Sequence, residues 1–258
     1  MVARERQMQI CDLLSINNAV QIADLAALFG VSSETIRRDL LALEKGGLLH
    51  RTHGGAISLS RMAHGKDYAQ RLNERLPQKR ALAACAAEQI QEGDTVAVDS
   101  GTTAAELARC LPRCFERLTV VTHSFDVAQA LKGARGIELI LLGGYFLPEE
   151  NACWGDFALE TADRLHADKA FLCPSCVSLS AGATDYAYQL LPVQRAYLRM
   201  ADRAYYLADS SKFEKAARLQ IAPLSPDDVL ITDGALPPEI CELYRKSNIR
   251  IVRGKDDA

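Results

Sequence analysis

Two kinds of hydrophobic spacing divide this 258-residue sequence and predict an α/β chain in two parts. In the first 60 residues, apolar side chains recur three and four apart in three short runs, and two β-like stretches then flank Gly54-Gly55. From residue 80 onward, strand-like and helix-like segments alternate almost to the C-terminus. The predicted architecture is a small helical head with a hairpin, followed by a larger doubly wound, mostly parallel α/β domain. A composition of 48% hydrophobic and 24% charged residues suits a globular chain and excludes a disordered or collagenous one.

The elements follow in order. Residues 4–15 place Met8, Ile10, Leu13 and Leu14 at helical spacing, and residues 22–29 do the same with Ile22, Leu25, Ala26 and Leu28 before Gly30 stops the run. After a tight turn, Ser32 stands as an N-cap and Glu34 as a first-turn acid for a third helix carrying Ile36, Leu40 and Leu43 and ending at Gly46-Gly47. Residues 48–51 and 56–59 then pair around Thr52-His53-Gly54-Gly55. Helix, helix, turn, helix and hairpin together predict a winged helix-turn-helix over residues 1–60. Residues 61–75 lack apolar periodicity and read as a basic linker. Within 76–258, strands at 95–99, 118–122, 137–142, 169–173, 204–208, 229–232 and 249–252 alternate with helices at 104–111, 125–132, 157–165, 193–201 and 239–246.

The net charge of -3 conceals an uneven layout: residues 1–60 balance, residues 61–80 carry +4 and residues 81–258 carry -7. An acidic body is a poor general surface for polyanions, so nucleic-acid binding is expected only from the N-terminal region. No window approaches the roughly 18 uninterrupted apolar residues of a membrane span, and the first residues carry no secretory pattern. The expected compartment is the cytoplasm, with no membrane partner. Eight cysteines are then expected as reduced thiols.

Burying Ile36, Leu40 and Leu43 turns Glu34, Arg38 and Leu41 outward, with Ser33, Thr35 and Arg37 beside them. Arginine pairs bidentately with guanine, and short hydroxyls reach base edges or phosphates, when such a helix end enters the major groove. Arg51 and His53 on the hairpin reach phosphate or the adjacent minor groove. The competing reading is a solvated face on which the two arginines pair Asp39 and Glu44. The order Gly30-Val31-Ser32, Thr35-Ile36-Arg37-Arg38-Asp39-Leu40, Leu43-Glu44 and His53-Gly54-Gly55 resembles the N-terminal domain of DeoR-type bacterial transcriptional regulators. By that resemblance the third helix reads operator DNA, and the chain is a sequence-specific regulator, most simply a repressor, of a carbohydrate-metabolism operon. Gln21 departs from the capping Ser or Thr usual near the second helix.

A second site lies at strand ends. Asp99-Ser100-Gly101-Thr102-Thr103 joins a strand to an alanine-rich helix, whose first amides, with two hydroxyls, favour an anion such as phosphate. Asp99 is expected to accept sugar hydroxyls. The competing reading is a plain strand-to-helix turn. Ser124 after the next strand, Gly143-Gly144 after the third, and Lys212 in Asp209-Ser210-Ser211-Lys212-Phe213 converge on the same sheet edge. Asp-x-Gly-Thr-Thr, Leu-Leu-Gly-Gly and Asp-Ser-Ser-Lys-Phe, in this order, are similar to the sensor domain of the same regulators. That domain resembles sugar-phosphate isomerases and binds a phosphorylated sugar or related effector. A homodimer or homotetramer is expected because one winged helix contacts few bases and paired half-sites multiply affinity through effective concentration.

Departures from the family pattern gather near this pocket: His123 in place of Asn, Cys173-Pro174-Ser175-Cys176 in place of Gly-x-x-Gly, Gln189 where an acid is usual, leaving Asp185 as the nearest carboxylate, and Glu214 in place of Gly. One CxxC cannot complete a four-ligand zinc site, and no metal or cofactor is expected. The pair does leave a thiol-responsive regulator as an alternative, if its pKa is lowered at a helix N-terminus. The other alternative is an isomerase-like enzyme using Asp99 or Asp185 as base, which fold resemblance alone does not establish.

Overall fold

A computed structural model of the chain describes residues 3–17, 19–45, 48–52, 54–58 and 68–254. It divides into two compact units, Met1–Lys66 and Asp67–Ala258.

In the first unit, helices Ala3–Asn17, Ile22–Phe29 and Ser33–Lys45 enclose Ile10, Leu14, Leu25, Ile36, Leu40 and Leu43, all buried. Each such side chain contributes about 1.5–3 kcal/mol by leaving water. Ser32 starts the third helix as read from sequence, its Oγ accepting the Thr35 amide at 3.2 Å. The sheet has three strands, not two: β1 (Ala19–Gln21), β2 (Leu49–Arg51) and β3 (Gly55–Ser58), in the order β1-β3-β2, all antiparallel. β1 escaped the sequence reading because three residues are too few to show alternation. Gly46-Gly47 and His53 lie outside the described residues.

The second unit is built on seven parallel strands: β4 (Thr95–Val98), β5 (Leu118–Thr122), β6 (Ile137–Leu141), β9 (Ala167–Leu172), β12 (Ala201–Leu207), β14 (Val229–Thr232) and β15 (Arg250–Arg253). Their order is β15-β14-β12-β9-β4-β5-β6. Alternate residues feed opposite faces. Val96, Val98, Tyr205 and Leu207 pack with helices Leu76–Ala87, Thr102–Cys114 and Phe125–Leu131. Ala97, Tyr206 and Ala208 pack with helices Asp156–Ala162, Leu191–Met200 and Pro238–Lys246. The sheet is therefore doubly wound, as expected. The chain runs outward from β4 through β5 to β6, then returns to β9 on the other flank and runs outward again. The switch point thus lies between the ends of β4 and β9, where open parallel sheets place their ligand crevice.

Several elements were not foreseen. A hairpin of β7 (Tyr145–Leu147) and β8 (Ala152–Trp154), and a small antiparallel sheet of β10 (Cys176–Ser178), β11 (Gly182–Asp185) and β13 (Leu219–Ala222), sit between the main strands. The segment read as a linker holds helix Tyr68–Asn73, and helix Leu76–Ala87 follows at once. The second was hidden because half of its inward face is alanine and another part is a lysine, Lys79, so it carries little hydrophobic stripe. Glu214, standing where glycine was expected, adopts the left-handed conformation at φ 52 that glycine takes readily.

Candidate functional site

On the first unit, the third helix presents Ser33, Arg37 and Arg38 to solvent, with Thr35 half-buried and hydrogen-bonded to Ser32 Oγ at 3.0 Å. The competing reading, with these arginines on Asp39 and Glu44, does not hold. Asp39 is buried and accepts from Arg6 Nε at 2.6 Å and from Gln7 Nε2 at 3.0 Å, tying the first helix to the third. Arg37 and Arg38 instead share Glu34, at 3.7 and 3.5 Å, with side chains 58% and 79% exposed. Exposed pairs of this kind are worth about 0–1 kcal/mol, so either guanidinium can leave for a stronger anion. Arg51 on β2 is held toward Glu44: its amide donates to Oε1 at 2.9 Å and its Nε lies 3.7 Å from Oε2.

The second unit gathers its polar residues at the switch point. Asp99, completely buried at the end of β4, takes four donors: the Ser100 amide at 2.8 Å and His123 Nε2 at 3.1 Å on Oδ1, and the Cys173 amide at 3.0 Å and Gln194 Nε2 at 3.2 Å on Oδ2. A carboxylate accepts about four hydrogen bonds, so Asp99 has none left for a sugar hydroxyl. In this arrangement Asp99 positions the residues around it. His123 stands between two acceptors, with Nδ1 2.9 Å from the Cys153 carbonyl and Nε2 3.1 Å from Asp99 Oδ1.

Gln194 bridges two carboxylates, donating also to Asp185 Oδ2 at 3.0 Å. Asp185 Oδ1 accepts Ser175 Oγ at 2.9 Å and the Tyr186 amide at 2.6 Å. Lys212 donates to the Pro174 carbonyl at 2.8 Å. The loop after β9 therefore ties three parts of the pocket together, with Cys173 on Asp99, Pro174 on Lys212 and Ser175 on Asp185.

Beside this loop, Gly101 caps helix Thr102–Cys114 at φ 108, a conformation that disfavours any side chain. The helix begins with Thr102 and Thr103, so its first amides and its dipole favour an anion at this seat. Cys173 stands against that seat, its thiol facing the Ala104 amide, yet its pKa is pushed up to about 12. Burial is the main cause and Asp99 adds to it, outweighing Lys212 and the amide. Burial likewise raises Cys176. Neither thiol has the lowered pKa that a redox pair requires.

Two expected contacts have other employment. Ser124 is buried as the N-cap of helix Phe125–Leu131, its Oγ accepting the Val127 amide at 3.4 Å. Gly144 is required by the close crossing of β8, since a Cβ there would stand 2.4 Å from the Trp154 carbonyl oxygen. Gly143 has open space around it. The sequence reading missed Gln194, whose signal was a polar residue on the inward face shared with Val193, Ala196 and Tyr197. It also missed Arg71, Arg75 and Lys79, legible only as a basic run. Arg71 donates to Glu150, Arg75 lies 3.8 Å from Asp209, and burial first, then Lys212, lowers the Lys79 pKa. Burial is also the main cause of a raised pKa at Glu150, against the pull of Arg71. Among the described residues, no cluster of three or more His, Cys, Asp or Glu is arranged to hold a metal, and no helix is long and apolar enough to cross a membrane.

Comparison with known proteins divides the chain in the same way. The model of the DeoR-like helix-turn-helix domain matches residues 6–62, and that of the DeoR C terminal sensor domain matches residues 74–234. A putative aga operon transcriptional repressor of Escherichia coli O157:H7 is 33% identical over 252 residues, 96% of this chain and 93% of that one. The HTH-type transcriptional repressor GlcR of Bacillus subtilis is 31% identical over 258 residues, 100% of this chain and 98% of its own. A ribose 5 phosphate isomerase A from Neisseria gonorrhoeae overlaps 52% of each chain at 14% identity, with a TM-score of 0.40.

Proposed function

Because the chain belongs to the DeoR family of DNA-binding transcriptional regulators, we propose that its two units are an operator reader and a sensor for a phosphorylated sugar. The observation that carries the sensor assignment is the polarity of the switch-point crevice. An anion seat at Gly101, Thr102 and Thr103 stands beside Lys212, and Asp185 and Gln194 line the other side. Phosphate takes the seat and Lys212, while the buried Oε1 of Gln194, which has no hydrogen-bond partner, accepts from the sugar. Asp99 and His123 hold the walls in register.

On the reader, Ser33, Thr35, Arg37 and Arg38 meet the major groove, and Arg51 and His53 meet the backbone beside it. The relatives named as repressors support repression of a carbohydrate operon, with the effector altering operator affinity. The sensor works by binding rather than turnover. Asp99 is saturated and enclosed, and Asp185 is held by four neutral donors, so neither carboxylate is poised as a base. The raised thiol pKa values weigh against the thiol-responsive alternative. A homodimer or homotetramer is supported by the exposed aromatics Tyr145, Phe146 and Phe157, and by the need of a small reader for paired half-sites.

The test is binding to the DNA upstream of the protein's own gene and to a scrambled fragment, at two salt concentrations, with a panel of phosphorylated sugars. Preference for the upstream fragment, changed by one phosphorylated compound, is expected. Equal, salt-sensitive binding to both fragments, or none, would overturn the reading.

A further inference from the structure

The first stretch of the second unit is tied to three separate segments at the carboxyl edge of the sheet. Tyr68 donates to Asp126, after β5, which also accepts from Asn151 Nδ2 at 2.7 Å. Arg71 Nη2 donates to Glu150 Oε2, in the β7–β8 turn, at 2.5 Å. Arg75 Nη1 lies 3.8 Å from Asp209 Oδ1, after β12. The Lys79 ammonium fixes the end of the short helix by donating to the carbonyls of Arg71 and Leu72. Helix Tyr68–Asn73 also packs against the helix that begins at Thr102. Residues 68–75 thus lie along the rim of the crevice, and their sequence leads directly from the reader.

The charges on this stretch are not at rest. Arg71 has a buried Nε with no hydrogen-bond partner, although Glu150 holds its Nη2. Lys79 and Lys212 repel each other across the same corner, with Asp209 and Glu106 as counterweights. A dianion on the seat would relieve that repulsion and offer acceptors to a planar guanidinium with five donors.

We propose that residues 68–75 are a strap that an anion in the crevice tightens: the phosphate held by residues 101–103 and Lys212 recruits Arg71 and so fixes the connecting segment to the sensor. This rests on the sensor reading above. A ligand shifts an equilibrium only through differential contacts, and Arg71 supplies one that exists only when anion and closed strap are both present.

Amide hydrogen exchange of the intact protein tests this, with inorganic phosphate as the probe against chloride at matched ionic strength. With phosphate at about ten times its Kd, amides of residues 68–75 and 101–103 that exchange by local opening should slow about tenfold in the wild type. In Arg71→Gln, residues 101–103 should still slow and residues 68–75 should not. Should that variant fail to fold, Arg71→Lys keeps the charge without the fork, and its strap should slow less than the wild type's. Slowing at 101–103 with none at 68–75 in the wild type overturns the strap alone, as does equal strap slowing in wild type and variant. No slowing at either segment overturns the sensor reading, and the strap with it.

Discussion

Arg6 and Asp39 form a buried ion pair at 2.6 Å, with side chains only 7% and 5% exposed, that joins the first helix of the reader to its third. The acid inside the Thr-Ile-Arg-Arg-Asp-Leu stretch is therefore a mounting for the helix, while the two arginines before it stay at the surface. Removing one partner of a buried pair costs about 3–5 kcal/mol. Asp39→Ala should unfold or loosen the reader and abolish DNA binding, seen as a separate low-temperature transition in calorimetry. An unchanged thermogram would show the pair to be dispensable.

Arg37→Ala and Arg38→Ala should behave oppositely. Their pairs with Glu34 are exposed, so unfolding temperatures should hold within about 1 kcal/mol of stability. Operator affinity should fall by about 1–3 kcal/mol for a base contact, or, for a phosphate contact, evenly across sequences with a shallower salt slope. Titrations at several salt concentrations separate the two.

In the sensor, Lys212→Ala removes the cation beside the anion seat, and Thr102→Val removes a hydroxyl from its first turn. Each should leave DNA affinity without effector unchanged and weaken the effector at least about tenfold, the scale of one charge-assisted hydrogen bond. A normal response in Lys212→Ala would mean that the anion sits elsewhere.

The thiols give a negative control with a definite sign. With its pKa pushed up to about 12, Cys173 holds only about one part in ten thousand as thiolate at about pH 8, and burial raises the Cys176 pKa in the same sense. Exposed Cys114 should react first with iodoacetamide, and mild oxidant should leave operator binding intact. Rapid modification of Cys173, accompanied by loss of DNA binding, would restore a redox role.

What was legible in the sequence follows from range. The three helices of the reader and the strand-to-helix turn at Asp99 announce themselves over a dozen neighbouring residues, because spacing and capping are local properties. The partners that give the pocket its character are distant: Gln194 reaches Asp99 across 95 positions, and Arg71 reaches Glu150 across 79. Ser124 and Gly144 show the converse. Their residue types suit a ligand site, yet a helix cap and a crowded strand crossing already account for them. Asp99 was legible as a carboxylate at a strand end but not as a saturated one, since its four donors come from four different segments.

On the proposed reading, an anion in the crevice is coupled to DNA on the reader, and linkage makes that coupling reciprocal. The most direct measurement is the affinity of the intact protein for its effector, free and saturated with operator DNA, beside its affinity for operator with and without effector. The same factor is expected in both directions, about 5–150-fold, collapsing toward one in Arg71→Gln. Effector affinity indifferent to operator, with operator affinity indifferent to effector, would contradict it.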